Sequence, residues 1–329
     1  MSMVTVDDVA ILLLGDPSPL LRRRTLVELL DAPADDPEVA ELTALVESDP
    51  AVAALLADDT GELRELSFNL CRLAYAGLTR EHPRVAELAE ALFAYQQDDG
   101  AFPLRAFVGK RSRYEMIPLQ TALPLRGLAA VGYADDPRAE RAYDWLLAQR
   151  LPDGSWPTAH AAGHAGYVAG YRRLPGSPGC RANTTAALAC LALHPTRAQS
   201  DAARSALDLL LQRETRDEWA LGSELARLVG VEPAAGFITF YARFDLAFLL
   251  ELATRLGAGA DDRRLADLVA FLESRRTSHG LWQHPAYPEL SRWLTFDLLL
   301  SLRRLAGGDW VGAAFPTSFR AYPRRRRRY

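Results

Sequence analysis

The chain has 329 residues, 49% hydrophobic and 24% charged, which is the balance of a soluble globular protein able to bury a large core. Thirty-eight basic residues against 42 acidic ones leave a formal charge of -4, so no global positive field draws nucleic acid to the folded body, and no nucleic-acid partner is expected. Lys110 is the single lysine among the 38 cations, so an arginine is informative here only through its position.

In chain order, Asp7 and Asp8 precede an apolar run from Val9 to Leu14. That run is far shorter than the ~20 residues of a membrane span and lacks the features of a signal peptide, which points to a cytoplasmic protein. Pro19 to Leu30 reads as an arginine-led helix. The pairs Asp36-Pro37, His82-Pro83, Asp136-Pro137 and His194-Pro195 mark helix starts, because proline in a first turn loses no needed hydrogen bond. Between them, apolar residues at spacings of three and four predict a second set of helices over 62–78, 113–132, 181–193, 237–257 and 291–306. No segment alternates as a strand does. Cys71, Cys180 and Cys190 are odd in number and have no CxxC spacing, so they read as buried thiols rather than a disulfide framework or a thiolate zinc cluster.

The loops between these helices repeat. Asp99-Gly100-Ala101-Phe102-Pro103 recurs as Asp153-Gly154-Ser155-Trp156-Pro157, each after a helix ending in glutamine, Gln96-Gln97 and Gln149. His279-Gly280-Leu281-Trp282 keeps the glycine and the aromatic, and Gln212 through Asp217-Glu218-Trp219 is a worn copy. The spacings of 54, 64 and 62 residues each hold two helices and their loops. Glutamine, then Asp-Gly-x-Trp/Phe, at the end of a helix resembles the QW-type repeats of the prenyltransferase and squalene-cyclase superfamily. The resemblance covers roughly residues 62–306. It implies an all-α fold, a single α/α toroid of five or six helix pairs with inner helices around a central cavity. Residues 1–61 would close or cap that ring and 307–329 would form a tail. The motif residues Gln149, Asp153 and Trp156 are expected to be scaffold.

Polar residues on the expected inner helices are the places to look for chemistry, since a buried polar group needs a partner or a ligand. These are Asn69, Gln120, Asn183, Thr184, Thr185, Tyr241, Arg243, Asp245, Trp293, Thr295 and Asp297. From Phe237 to Phe248, the aromatics Phe237, Phe240, Tyr241, Phe244 and Phe248 follow helical spacing, so one face could stabilise a carbocation or simply pack the core. Tyr241 and Asp245 are four apart, as are Trp293 and Asp297, which predicts two carboxylates each on a face with an aromatic. Such acids suit proton-initiated chemistry, and their alternative role is ion pairing with Arg243, Arg292 or Arg303. Lys110, Arg111, Arg113, Arg172, Arg173, Arg181 and Arg292 precede inner helices and could hold an anionic substrate group at one mouth.

By the resemblance, the expected activity is that of a terpene-cyclase-like enzyme, an isomerase or lyase. It would cyclise or isomerise an isoprenoid or other apolar substrate in the cavity, with Asp245 and Asp297 as acids. Asn183, Phe240, Tyr241, Arg243, Phe244, Trp293, Arg181 and Arg292 would contact the substrate, and no cofactor is implied. The alternative is a non-catalytic lipid- or peptide-binding protein on the same scaffold. The chain departs from the family in lacking the Asp-x-Asp-Asp acid motif of class II terpene cyclases and the Asp-x-Cys zinc pair of protein prenyltransferases. His160 and His164, with Cys180, have a spacing that could hold zinc, but the HExxH glutamate is missing, and they sit in a Gly-rich loop that also reads as a lid, 158–179. The run Arg324 to Arg328 reads as a disordered tail that offers anionic lipid a contact.

Overall fold

Asp-Pro punctuation sets much of the helical framework. Asp36, Asp49 and Asp136 each take the extended conformation of an N-cap and accept hydrogen bonds from amides of the first turn, with proline next in the chain. His82 does the same through its imidazole nitrogen. The computed structural model describes residues 6–58, 61–102, 118–158, 174, 176–212, 221–233, 241 and 245–312. Among them the helices are α1 (Val6–Leu14), α2 (Pro19–Arg24), α3 (Pro37–Glu47), α4 (Pro50–Leu56), α5 (Leu63–Tyr75), α6 (Pro83–Phe93) and α7 (Pro118–Leu128). They continue with α8 (Pro137–Ala148), α9 (Arg181–Leu191), α10 (Asp201–Leu211), α11 (Ser223–Leu228), α12 (Leu246–Arg255), α13 (Arg263–Glu273) and α14 (Ser291–Ala306). No sheet occurs among the described residues, and the protein is all-α.

Helices of one set pack on one another, α5 on α7, α7 on α9 and α12 on α14. The amphipathic helices of the other set lie against them: α6 on α5 and α7, α8 on α7 and α9, α10 on α9 and α12, and α13 on α12. At the amino end α1 touches α14, and α4 touches α5. Buried apolar residues from Val9 to Leu305 form one continuous cluster.

The repeated loops tie the two sets together with one pattern of bonds. In each, glycine adopts a positive φ (94° at Gly100, 93° at Gly154, 82° at Gly280), where a side chain is strained. The aromatic that follows donates its backbone N–H to a threonine hydroxyl near the start of the next helix: Phe102 to Thr121 (3.1 Å), Trp156 to Thr184 (3.0 Å) and Trp282 to Thr295 (2.9 Å). Both indoles are fully buried and donate Nε1–H to a carbonyl of the preceding helix, Leu146 and Leu272, each at 2.7 Å. Trp156 and Asp153 thus occupy tight turns, Asp153 accepting from Ser155 and Ser177. The glutamine position has a different register from the one expected. Gln96 donates to the Gly100 carbonyl four residues on, and the third loop fills that place with Arg276, which donates to Gly280.

Two boundaries differ from the sequence reading. His194-Pro195 opens a turn that leads into a single 3-10 turn, Arg197–Gln199, rather than an α-helix. The His194 ring accepts from the amides of Thr196 and Arg197, and α10 begins only after Ser200, its N-cap. Among the described residues of the expected helix 237–257, α12 begins at Leu246 with Asp245, of extended backbone, as its cap, and Tyr241 lies in a turn. Tyr241 and Asp245 therefore do not share a helix face.

Candidate functional site

Side chains of α5, α7, α9 and α12, joined by Arg24 of α2 and Leu228 of α11, enclose a cavity of about 180 Å³. Apolar positions such as Ala74, Ala130, Ala189 and Leu193 form part of its wall. Arg24, Arg126, Arg255 and Glu251 make it unusually charged for an interior. Each cation has a carboxylate. Arg255 pairs with Glu251 at 2.8 Å, Arg24 with Glu28 at 2.6 Å, and Arg126 with Glu224, which also takes Arg227 at 2.8 Å. Burial opposes charge on Arg126, but Glu224 and the hydrogen-bonded Tyr241 hydroxyl hold its proton well above the ordinary range. Burial alone would raise Glu251, yet Arg255 and Arg126 bring it below the ordinary carboxylate value. The same burial pushes the Cys71 thiol up to about 11, so it is a neutral wall group rather than a nucleophile.

At one side of this cavity Tyr75 and Arg24 stand in front of Asp297. The Tyr75 hydroxyl lies 3.1 and 3.2 Å from the two carboxyl oxygens, and Arg24 Nη1 is 3.9 Å away. Tyr75 is held between the Arg24 guanidinium, 4.3 Å from its ring centre, and the Trp293 ring at 6.0 Å. Trp293 and Asp297, four apart on α14, therefore meet at the same tyrosine. The Asp297 side chain is 24% exposed. Burial pushes its carboxyl up to about 7, Arg24 acts against that rise, and the negative Glu251 adds to it. A carboxyl with that affinity exchanges a proton at neutral pH.

Asp245 has a different setting. Its oxygens accept from the amides of Gly222 (3.0 Å), Glu224 (2.7 Å), Ala247 (3.1 Å) and Phe248 (3.4 Å), so one carboxylate caps the starts of both α11 and α12. Burial pushes it above its ordinary value, while the amides of Glu224 and Gly222 pull it down. It borders a void of only about 20 Å³ with Arg181, Glu224 and Tyr241, and neither it nor Asp297 is on the wall of the larger cavity, which Asp297 meets only through Tyr75 and Arg24.

No protein-family model matches the chain, and no curated protein matches it by sequence. Among solved structures, a protein from Actinoplanes aligns over 92% of this chain and 89% of its own at 16% identity, with a TM-score of 0.44. The type II terpene cyclase MstE from Scytonema aligns over 90% of this chain and 85% of its own at 16% identity, with a TM-score of 0.40. A variant of that cyclase in complex with its substrate, geranylgeranyl dihydroxybenzoate, aligns at 14% identity with a TM-score of 0.39. The likeness is distant.

The remaining sequence candidates divide. Asn183 Oδ1 accepts from the Leu119 amide at 3.0 Å and joins α9 to α7, while Thr184 and Thr295 are the hydroxyl anchors of the aromatic loops. Arg181 is buried at the start of α9, Nη1 3.4 Å from the Tyr241 carbonyl, and so is not on a solvent rim. Arg292 is 40% exposed and binds Gly15 and Asp16, which fastens α14 to the amino-terminal segment rather than facing the cavity. Tyr241 stacks on Phe248 at 5.7 Å, with its hydroxyl on Arg126. Phe240, Arg243, Phe244, His160, His164, Lys110, Arg111, Arg113, Arg172, Arg173 and the run Arg324 to Arg328 lie outside the described residues. Cys180 is buried at the N-cap of α9. No described helix is long and apolar enough to cross a membrane.

Sequence reasoning missed Arg24, Tyr75, Arg126, Glu224 and Glu251. Glu251 and Arg255 had a usable signal, an acid four residues before a base on one helix. Tyr75 and Arg24 had none, being separated from Asp297 by 222 residues in one case and in the other by almost the whole chain.

Proposed function

We propose that α5, α7, α9, α12 and α14 form the inner ring of an α/α toroid. In this reading the chain is a terpene-cyclase-like enzyme that cyclises or isomerises an isoprenoid or other apolar substrate by acid catalysis at Asp297. The supporting observation is the carboxyl of Asp297, raised to about 7 by burial and touching Tyr75, which lines the cavity. Protonated Asp297 passes its proton to the Tyr75 hydroxyl at the cavity wall as that hydroxyl gives its own proton to a carbon of a substrate double bond. The π electrons form the new C–H bond, and the adjacent carbon becomes positive. Rings at the wall such as Tyr75 and Phe248 face that charge, each contact contributing about 0.5–2 kcal/mol. Ring closure or a bond shift moves the charge, and loss of a carbon-bound proton back to the Asp297 carboxylate through the Tyr75 hydroxyl ends the cycle with no net proton consumed. Arg24 steadies the carboxylate while the proton is away. Asp245 belongs to the scaffold in this proposal, since all four of its hydrogen bonds come from amide donors. Phe240, Arg243 and Phe244 stay candidates for substrate contact on sequence grounds.

Mass spectrometry of the ligand extracted from the purified protein identifies the substrate class, with an isoprenoid expected. With that ligand as substrate, Asp297→Asn is expected to bind normally and react at least about 100-fold more slowly, the low end of what a placed acid supplies. Equal turnover by the variant sinks the acid assignment. A second reading, a non-catalytic binding protein, is favoured by the pairing of each cavity arginine with a carboxylate, and it takes the lead if the parent binds the ligand without converting it.

A further inference from the structure

A second cavity, of about 150 Å³, lies between the amino-terminal helices and the side of α5, α11 and α14. Its wall is mostly apolar, with Leu20, Val52, Leu228 and Trp293 among the lining side chains. One cation borders it, Arg72 of α5. The arginines at the acid cavity all have carboxylates, but Arg72 makes no ion pair, and its Nε is buried without a hydrogen-bond partner. Burial lowers the affinity of this guanidinium for its proton, and the negative Glu65, which makes no ion pair with it among the described residues, offsets that fall only in part. Its position is fixed from behind. Gly230 follows α11 with a φ of +80°, and a Cβ there would lie 2.3 Å from Arg72 Nη2, so this turn packs its backbone directly on the guanidinium. The one carboxylate on the wall, Asp49, is committed to capping α4 through the amides of Ala51 (2.8 Å) and Val52 (3.4 Å), and both its chain neighbours are exposed.

We infer that this pocket binds a small amphipathic anion, a carboxylate bearing a short apolar chain or ring, with the carboxylate on Arg72 and the apolar part against Leu20, Val52 and Trp293. The planar guanidinium presents paired N–H donors that match the two oxygens of a carboxylate. An apolar cavity of about 150 Å³ accommodates a group the size of benzene, which sets the scale of the tail. The site is separate from the acid chemistry proposed above, although Tyr75 borders both cavities, so variants on either side distinguish them.

The test is calorimetric or NMR titration of the full chain with hexanoate, and with hexanol as the uncharged control. Hexanoate is expected to bind saturably at one site, with hexanol at least about tenfold weaker, the size of a lost charge-assisted hydrogen bond. Arg72→Met keeps the aliphatic stem and is expected to weaken hexanoate by a similar factor. Val52→Trp, which fills the pocket, should abolish binding, with circular dichroism melts confirming that both variants fold. Asp297→Asn should leave the affinity unchanged. Absence of saturable hexanoate binding, or equal affinity in parent and Arg72→Met, overturns the inference. Loss of binding in Asp297→Asn with none in Arg72→Met places hexanoate in the acid cavity and overturns this inference while leaving the acid assignment standing.

Discussion

The start of α12 and the middle of α14 each carry a carboxylate that burial pushes above its ordinary value, and the two are met by different numbers and kinds of donor. Asp245 meets four amide N–H groups of two helix starts. Asp297 meets one hydroxyl and a guanidinium at 3.9 Å that is already paired with Glu28. Donors that are part of the backbone offset part of the rise that burial imposes on Asp245 and tie the carboxylate into the scaffold. Sparse donors leave the proton as the cheaper solution, and a group in that condition can give and take protons. Burial alone does not decide how readily a carboxyl keeps its proton; the donors around it also act.

The largest expected effect that tests this contrast is at the first carboxylate. Asp245→Ala removes the acceptor of four amides, at least two of them buried, and should destabilise the fold by about 3–5 kcal/mol in chemical denaturation. A loss below 1 kcal/mol would show that the amides find other acceptors. The second carboxylate is tested through pH. With a folded value near 7 against about 3.9 unfolded, Asp297 binds more protons folded than unfolded between those values. Stability from this group is therefore full at low pH and declines as pH rises toward 7. With the folded value near 7, that decline amounts to about 4 kcal/mol. Asp297→Asn cannot ionise, so melting at pH 8 should favour the variant over the parent, with the advantage shrinking through pH 5 and gone only below about pH 4. An Asn variant less stable than the parent at pH 8 would make Asp297 a structural anion.

Tyr75→Phe sharpens the comparison by removing a donor where donors are few. The Asp297 value should rise further, by about one unit, because the lost hydrogen bond favoured the charged form. Carbon NMR of the carboxyl reads this directly, and an unchanged value would mean the hydroxyl serves Asp297 little. The smallest effect concerns the loops that hold both regions in place. Thr184→Val and Thr295→Val each leave one aromatic-loop amide without its acceptor and should cost about 1 kcal/mol by thermal melting. Equal melting of parent and variants would remove the threonine anchor from the account.

The scaffold was legible because its signals are local. An aspartate before a proline states an N-cap within two residues, and glycine with its aromatic states a turn within four. The repeat also led to Trp156 and Trp282 as packed rings, and Thr184 and Thr295 were noticed as buried polar groups without the loop partner that explains them. The site was legible only in part. The four-residue spacing put Trp293 and Asp297 on one face of α14, where both reach Tyr75. The same spacing failed for Tyr241 and Asp245, because an aspartate that caps a helix and one inside it look alike in a periodic pattern. Arg24 and Tyr75 reach Asp297 only through packing of the amino-terminal helices against α14, and Glu224 meets Arg126 across 98 residues. No spacing rule spans such distances.

The central claim is that Asp297 carries an exchangeable proton near neutrality, and titration of its carboxyl tests it most directly. Selective carbon-13 labelling of aspartate, with Asp297→Asn to assign the resonance, follows that single group by NMR from pH 3 to pH 9. The account predicts a midpoint near 7, about three units above the ordinary aspartate value. A midpoint at or below about 4 would mean that Tyr75 and Arg24 hold a permanent anion, and would contradict the assignment of Asp297 as the acid.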